Sequence, residues 1–127
     1  MNSLKLNLSN LNYNYSQIQK QLNSETQIVA VVKAGAYGSA SEALAKRLEA
    51  LGVDYLAVAY AEEGKVLRSY GIKIPIMVFY PQVDSLKTVI EKALEPCLYS
   101  RSLLMAFKDL LKDTNKTQYP CLLYTSD

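Results

Sequence analysis

Four short apolar runs, beginning near residues 27, 55, 74 and 96, are each followed by a stretch whose apolar residues recur at helical spacing. Alternation at intervals of about twenty to thirty residues is the pattern of repeated strand–helix units, which lay parallel strands beneath a layer of helices. Residues 27–32, Gln-Ile-Val-Ala-Val-Val, form a β-branched and nearly continuous apolar run, which predicts a strand buried on both faces. The next helix is written with a start and a stop. Ser39 and Glu42 make a capping-box pattern, and Ala43, Leu44, Leu48 and Leu51 form a stripe that ends at Gly52. Further units are expected as strand 55–59 with helix 61–70 closed by Gly71, strand 74–80 with helix 84–94, and strand 96–99 with helix 102–112. Ahead of them, residues 4–8 alternate as a short strand, and Leu11, Tyr15, Ile18 and Leu22 mark a helix over 9–22. Right-handed crossovers make all the strand carboxyl ends face one way. That rim is where ligands bind in such sheets, and Lys33 closes the first strand there with Tyr37 four residues on.

Composition narrows the chemistry. With 50% hydrophobic and 20% charged residues the chain is of ordinary globular type, and a net charge of +2 gives no reason to expect nucleic acid or an anionic membrane as partner. The chain has no histidine, which removes the commonest metal ligand and the usual general base and leaves lysine, tyrosine and carboxylates for acid–base work. No apolar run approaches the roughly 18 residues of a membrane span and no secretory pattern opens the sequence, so a cytoplasmic location is expected. Cys97 and Cys121 fit no metal or redox spacing and are read as buried thiols rather than a disulfide.

Residues 31–38 read Val-Val-Lys-Ala-Gly-Ala-Tyr-Gly; the stretches Gly52-Val53-Asp54-Tyr55-Leu56-Ala57-Val58-Ala59, Glu62-Glu63, Leu67-Arg68 and 71–78 follow. Together they resemble the amino-terminal part of alanine racemase, over residues 4–120. The family signature, Val-Val-Lys-Ala-x-Ala-Tyr-Gly-His-Gly, is kept through Gly38 and departs at Ser39 and Ala40. The Ala-Tyr-Gly after the lysine separates the chain from decarboxylases of the same fold, which continue Val-Lys-Ala-Asn, and from pyridoxal phosphate homeostasis proteins, which carry Ser-Lys-Thr. Residues 55–61 and Ala34-Gly35-Ala36 resemble a subgroup in which the racemase is fused behind a UDP-N-acetylmuramoyl-tripeptide:D-alanyl-D-alanine ligase.

The resemblance implies an α/β fold, the truncated N-terminal half of a pyridoxal phosphate-binding (β/α)8 TIM barrel. A whole barrel takes about 250 residues, against 127 here. It implies that Lys33 holds pyridoxal 5'-phosphate as a Schiff base and serves as the base on the D-alanine face, while Tyr37 holds the cofactor phosphate. The bland readings are a solvated strand end for Lys33 and a packing residue for Tyr37. The implied substrate is alanine, interconverted between L and D forms for peptidoglycan, and the implied full-length protein is a homodimer whose second base is a tyrosine of the partner's carboxyl-terminal domain. Without that base the chain alone is expected to be inactive. The alternatives are a non-catalytic cofactor-homeostasis protein, a racemase for another amino acid, and an orphan half-barrel whose strand edges associate. Gly35 and Gly38 are read as turn residues, Glu62 and Glu63 as serving a helix amino terminus, and Arg68 as a surface or ion-pair residue; Ser39 and Ser41 are within reach of a phosphate. Residues 121–127, Cys-Leu-Leu-Tyr-Thr-Ser-Asp, resemble translated adapter sequence and are read as a non-native tail behind a partial domain over 1–120, the alternative being a short strand over 121–124.

Overall fold

The computed structural model describes residues 7–32, 39–116 and 118–124, with the backbone alone described at 39 and 40. In chain order the elements are α1 (Leu8–Lys20), β1 (Val29–Val31), α2 (Ser39–Leu51), β2 (Tyr55–Val58), α3 (Ala61–Ser69), β3 (Ile76–Val78), a 3-10 turn (Val83–Ser85), α4 (Leu86–Glu91), β4 (Glu95–Leu98), α5 (Arg101–Lys112) and β5 (Leu122–Leu123). The strands form one parallel sheet in the order β1-β2-β3-β4-β5, identical to chain order. A sheet that never reverses its strand order keeps its crossover helices on one side, which is the arc of a β/α barrel rather than a doubly wound sheet.

Register sorts the side chains. Leu56 lies opposite Ile76, Val58 opposite Val78 and Val78 opposite Pro96, and these residues, with Leu98, face the helices and are buried. They meet Leu67, Leu86, Val89, Leu103 and Phe107 in a single core. The other, concave face carries Val29, Val31, Tyr55, Ala57, Met77, Glu95, Cys97 and Leu122. Here the expectation of a first strand buried on both sides fails, for Val29 is 42% and Val31 63% exposed. The β-branched run is a barrel strand whose Ala30 packs against the core, while Val29 and Val31 stay exposed on the inner face, where Ala57 and Cys97 of later strands are buried.

Helix ends follow local chemistry. Asn7 Oδ1 accepts from the Asn10 N–H at 2.9 Å to start α1, and Ser100 Oγ accepts from the Leu103 N–H at 3.1 Å to start α5. α2 and α3 end at Gly52 and Gly71, with φ of 92° and 91°, and the next residue's N–H reaches back five positions, Val53 to Leu48 and Ile72 to Leu67 at 3.3 Å each. The same closure ends α4, Leu94 N–H to Val89 O at 2.8 Å, but here the left-handed residue is Ala93, φ 53°. The helix expected over 84–94 is thereby shortened to Leu86–Glu91, and β4 starts at Glu95, one residue early.

One further expectation changes. Leu8 is the first residue of α1, so the strand expected over 4–8 does not include it, and residues 4–6 lie outside the described residues. The capping-box reading rests on the Ser39 side chain, which lies outside the described residues, and Glu42 pairs with Lys46 at 2.9 Å. At the far end Leu122 and Leu123 pair with Cys97 and Leu98 as a fifth parallel strand, the arrangement of the short-strand alternative.

Candidate active site

Two cavities lie at opposite ends of the sheet. The one at the strand amino ends, about 430 Å³, is bordered by Arg68, Lys73, Glu95, Lys116 and Tyr119 among others. Its polar groups are largely engaged in holding the fold. The Arg68 guanidinium donates four hydrogen bonds of 2.8–2.9 Å, to the carbonyls of Ile72, Ile74, Lys92 and Ala93. Arg68 is thus a clamp on the loops before β3 and β4, not the surface or ion-pair residue expected. Burial lowers its pKa, with Tyr119, Glu49 and Glu95 acting against that shift. The Tyr119 hydroxyl donates to Val89 O at 3.0 Å and Leu94 O at 2.6 Å, and burial first, then Glu95, pushes its pKa up to about 12. Tyr55 Oη donates to Glu95 Oε1 at 2.8 Å, which raises the tyrosine's pKa. Glu49 accepts from the N–H groups of Lys73 and Ile74, and Asp54 accepts from that of Ile28 at 2.7 Å.

The cavity at the strand carboxyl ends is larger, about 850 Å³, and lined by Tyr60, Phe79, Tyr80, Gln82, Cys97, Tyr99, Leu122 and Tyr124. Its frame is the continuation of the sheet. The Phe79 N–H reaches Val58 O at 2.9 Å, Tyr80 N–H reaches Ala59 O at 2.8 Å and Tyr124 N–H reaches Leu98 O at 3.2 Å. Glu63 folds back from the first turn of α3 to accept from Ala59 and Tyr60 N–H at 3.1 and 2.9 Å, the helix-terminus role expected of it. Tyr99 Oη donates to Pro81 O at 3.1 Å and straps the rims of β3 and β4 together. The Tyr60 and Tyr80 rings lie 6.4 Å apart at 48°. Cys97 faces the cavity from β4, and burial raises its thiol pKa, which keeps it protonated.

The rim tyrosines were not singled out from sequence, although a signal existed. Tyr60, Tyr80, Tyr99 and Tyr124 each stand one or two positions beyond a strand. Such a position ends the pleat on the ligand-binding edge. Of the residues that were singled out, Lys33, Gly35, Tyr37 and Gly38 lie outside the described residues. The chain on either side is described. Val32, immediately before Lys33, is buried and its N–H reaches Ala57 O at 2.8 Å, so the pairing of β1 with β2 continues to the residue before the lysine. Ser39 opens α2 immediately after the undescribed stretch, and Ser41 is buried in that helix's first turn.

Comparison with known proteins agrees with this architecture. Residues 6–124 match the family model "Alanine racemase, N-terminal domain". An alanine racemase of Thermodesulfovibrio yellowstonii is 44% identical over 79 residues, which are 60% of this chain and 22% of that protein. Alanine racemase 1 of Caldanaerobacter subterraneus subsp. tengcongensis is 36% identical over 110 residues, 86% of this chain and 28% of that protein. A solved structure of the Clostridium difficile 630 alanine racemase in complex with cycloserine superposes with a TM-score of 0.83 at 30% identity, covering 95% of this chain and 34% of that one. The chain thus spans between about a fifth and a third of the length of these relatives. With the family model matching nearly its whole length on a sheet of the same architecture, the chain belongs to the alanine racemase N-terminal domain family.

Proposed function

We propose that this chain is the cofactor-bearing part of a pyridoxal 5'-phosphate-dependent alanine racemase, and that the complete protein interconverts L- and D-alanine in the cytoplasm to supply cell-wall peptidoglycan. The observation that carries the reading is the continuation of β1 to Val32, the residue before Lys33, on the same rim as the 850 Å³ aromatic cavity. Among the described residues no helix is long and apolar enough to cross a membrane.

The rim suits the cofactor by its chemistry. A cavity of about 850 Å³ is ample for a substituted pyridine ring, and walls built from Tyr60, Phe79, Tyr80 and Tyr99 favour a planar aromatic guest. α2, thirteen residues long, starts at Ser39 directly after the stretch containing Lys33 and Tyr37. A helix amino terminus favours a phosphate group, and Tyr37 Oη would add a charge-assisted hydrogen bond worth about 1.5–3 kcal/mol.

When bound, pyridoxal phosphate supplies an electron sink that makes the substrate's Cα proton removable. The protein has the remaining tasks. Lys33 Nζ would hold the cofactor and, as a neutral amine, would exchange the Cα proton on the D-alanine face. Tyr37 would hold the cofactor's phosphate end and so restrict its position on the rim. The second base, on the opposite face, belongs to the partner's carboxyl-terminal domain in a homodimer of the complete protein.

Borohydride reduction of the longer protein carrying this segment, followed by peptide mapping, should place the covalent adduct on Lys33. An adduct on a different lysine overturns the assignment. The 127-residue chain by itself should interconvert the alanine enantiomers no faster than buffer with free cofactor, and robust racemisation by it refutes the need for a second base from elsewhere.

A further inference from the structure

We propose that a polar cavity between α1 and the turn joining α2 to β2 binds a small organic cation with a guanidinium or ammonium head, with Asp54 as its counter-ion. The inference is independent of the racemase reading, since the cavity lies at the amino ends of β1 and β2, away from the rim of Lys33.

Local sequence builds the walls. Tyr15 and Gln19, four residues apart, lie on one face of α1 and form the first wall. The second is a turn over residues 23–26, folded by Asn23, whose Oδ1 accepts from the Glu25 N–H at 3.0 Å and the Thr26 hydroxyl at 2.9 Å. The third joins the starts of β1 and β2. Asp54 and Tyr55 N–H donate to Ile28 O at 3.0 and 3.2 Å, and Ile28 N–H donates to Asp54 Oδ2 at 2.7 Å. Bonds within the protein thus hold the turn and the strand starts in place without a guest, and a preformed site spends less of its binding energy on ordering.

Charge and size then select the guest. Among the described residues Asp54 is the one charged residue lining the cavity, and no ion pair holds it. The bond to Ile28 uses Oδ2 and leaves Oδ1 as an anionic acceptor. The Tyr15 hydroxyl, the Gln19 amide and the Ser24 hydroxyl also border the space and make no hydrogen bond among the described residues. A head that brings only donors suits one carboxylate oxygen, two hydroxyls and an amide carbonyl. The volume, about 230 Å³, is several times the roughly 30 Å³ of one water and below the roughly 300 Å³ at which drug-sized pockets begin, so the guest has few heavy atoms. A calcium-like ion is the wrong guest. It takes about six to eight oxygen ligands, and among the described residues no three acidic, cysteine or histidine residues gather to hold a metal.

Calorimetric titration of the longer protein carrying this segment with n-propylguanidinium chloride, at constant ionic strength, tests the assignment. The probe has no amine able to condense with an aldehyde cofactor. One probe per chain should bind with a dissociation constant of about 1 mM or below, and its neutral isostere n-propylurea should not bind measurably. Asp54→Asn keeps an oxygen for the Ile28 N–H, so the fold should hold while affinity falls by about tenfold or more. Ser24→Lys, at an exposed position beside the cavity, tethers an ammonium there and should exclude the probe. No binding to the parent, as when a side chain of the longer protein already fills the cavity, overturns the proposal. So does n-propylurea binding as tightly as the cation, potassium chloride displacing the probe at equal concentration, or unchanged binding in either variant.

Discussion

The two rims of this sheet are built from different kinds of residue and used differently, with charged side chains prominent at the amino ends and aromatic ones at the carboxyl ends. At the amino ends, Arg68, Tyr119, Glu49 and Asp54 turn inward onto backbone groups, so that the polar atoms needed to hold successive strand–helix units together are satisfied there. At the carboxyl ends, Tyr60, Tyr80 and Tyr124 leave their rings more than half exposed around a cavity, and the frame is held by strand backbone, Glu63 and the Tyr99 strap. The contrast teaches that a parallel β/α arc can tie itself together at one end and thereby leave its other end free for chemistry. Residue type and hydrogen-bond partners both distinguish the ends.

The sharpest way to break that division is to cut the clamp. Arg68→Ala removes four hydrogen bonds to carbonyls on two loops, and the half-buried site leads us to expect a loss of about 3 kcal/mol of unfolding free energy, read by denaturant titration. Arg68→Lys should recover little of it, since an ammonium cannot span the four acceptors as the planar fork does. A loss under about 1 kcal/mol would show that the amino rim is not the fastening. Tyr119→Phe should cost about 1–2 kcal/mol, because the Leu94 carbonyl loses its hydroxyl donor while the Val89 carbonyl keeps the Leu94 N–H.

The same tyrosine gives the comparison a pH signature. Its folded pKa, about 12, lies above the ordinary value of 10.0, so the fold binds the phenol proton more tightly than the unfolded chain does. The corresponding stabilisation is complete below pH 10 and is lost as pH rises towards 12. Alkaline unfolding should therefore be shallower in Tyr119→Phe. On the opposite rim Tyr80→Phe should change stability by no more than about 0.5 kcal/mol, since among the described residues its hydroxyl has no hydrogen bond to lose. The smallest effect is a gain. Ala93→Gly relieves a left-handed alanine at the end of α4, and after the added freedom of the unfolded chain is subtracted about 0.5 kcal/mol of stabilisation should remain, visible as a raised melting temperature.

Much of this arrangement was legible in the sequence. The strands were visible because β-branched runs recur between helical stripes, and α2 and α3 ended where glycine supplied the left-handed residue, at Gly52 and Gly71. α4 was read too long because its terminator is Ala93, which carries no such mark. The role of Arg68 was not legible, since its acceptors are backbone carbonyls that come together only when the loops before β3 and β4 are side by side. The exposure of Val29 and Val31 was missed for a related reason: composition shows that a strand is apolar, not whether a second surface is present to cover it. Lys33 and Tyr37 are assigned by motif alone, and the tyrosine rim was found by neither motif nor periodicity, because each member belongs to a different strand and only the parallel sheet gathers them.

The division of labour between the rims is tested most directly by Lys33→Ala in the longer protein, with racemisation rate and unfolding free energy measured on the same preparation. The account predicts a rate lower by roughly a thousandfold or more, with stability in the absence of cofactor unchanged within about 0.5 kcal/mol. Racemisation retained within tenfold of the parent, or an apoprotein destabilised as severely as Arg68→Ala, would contradict it.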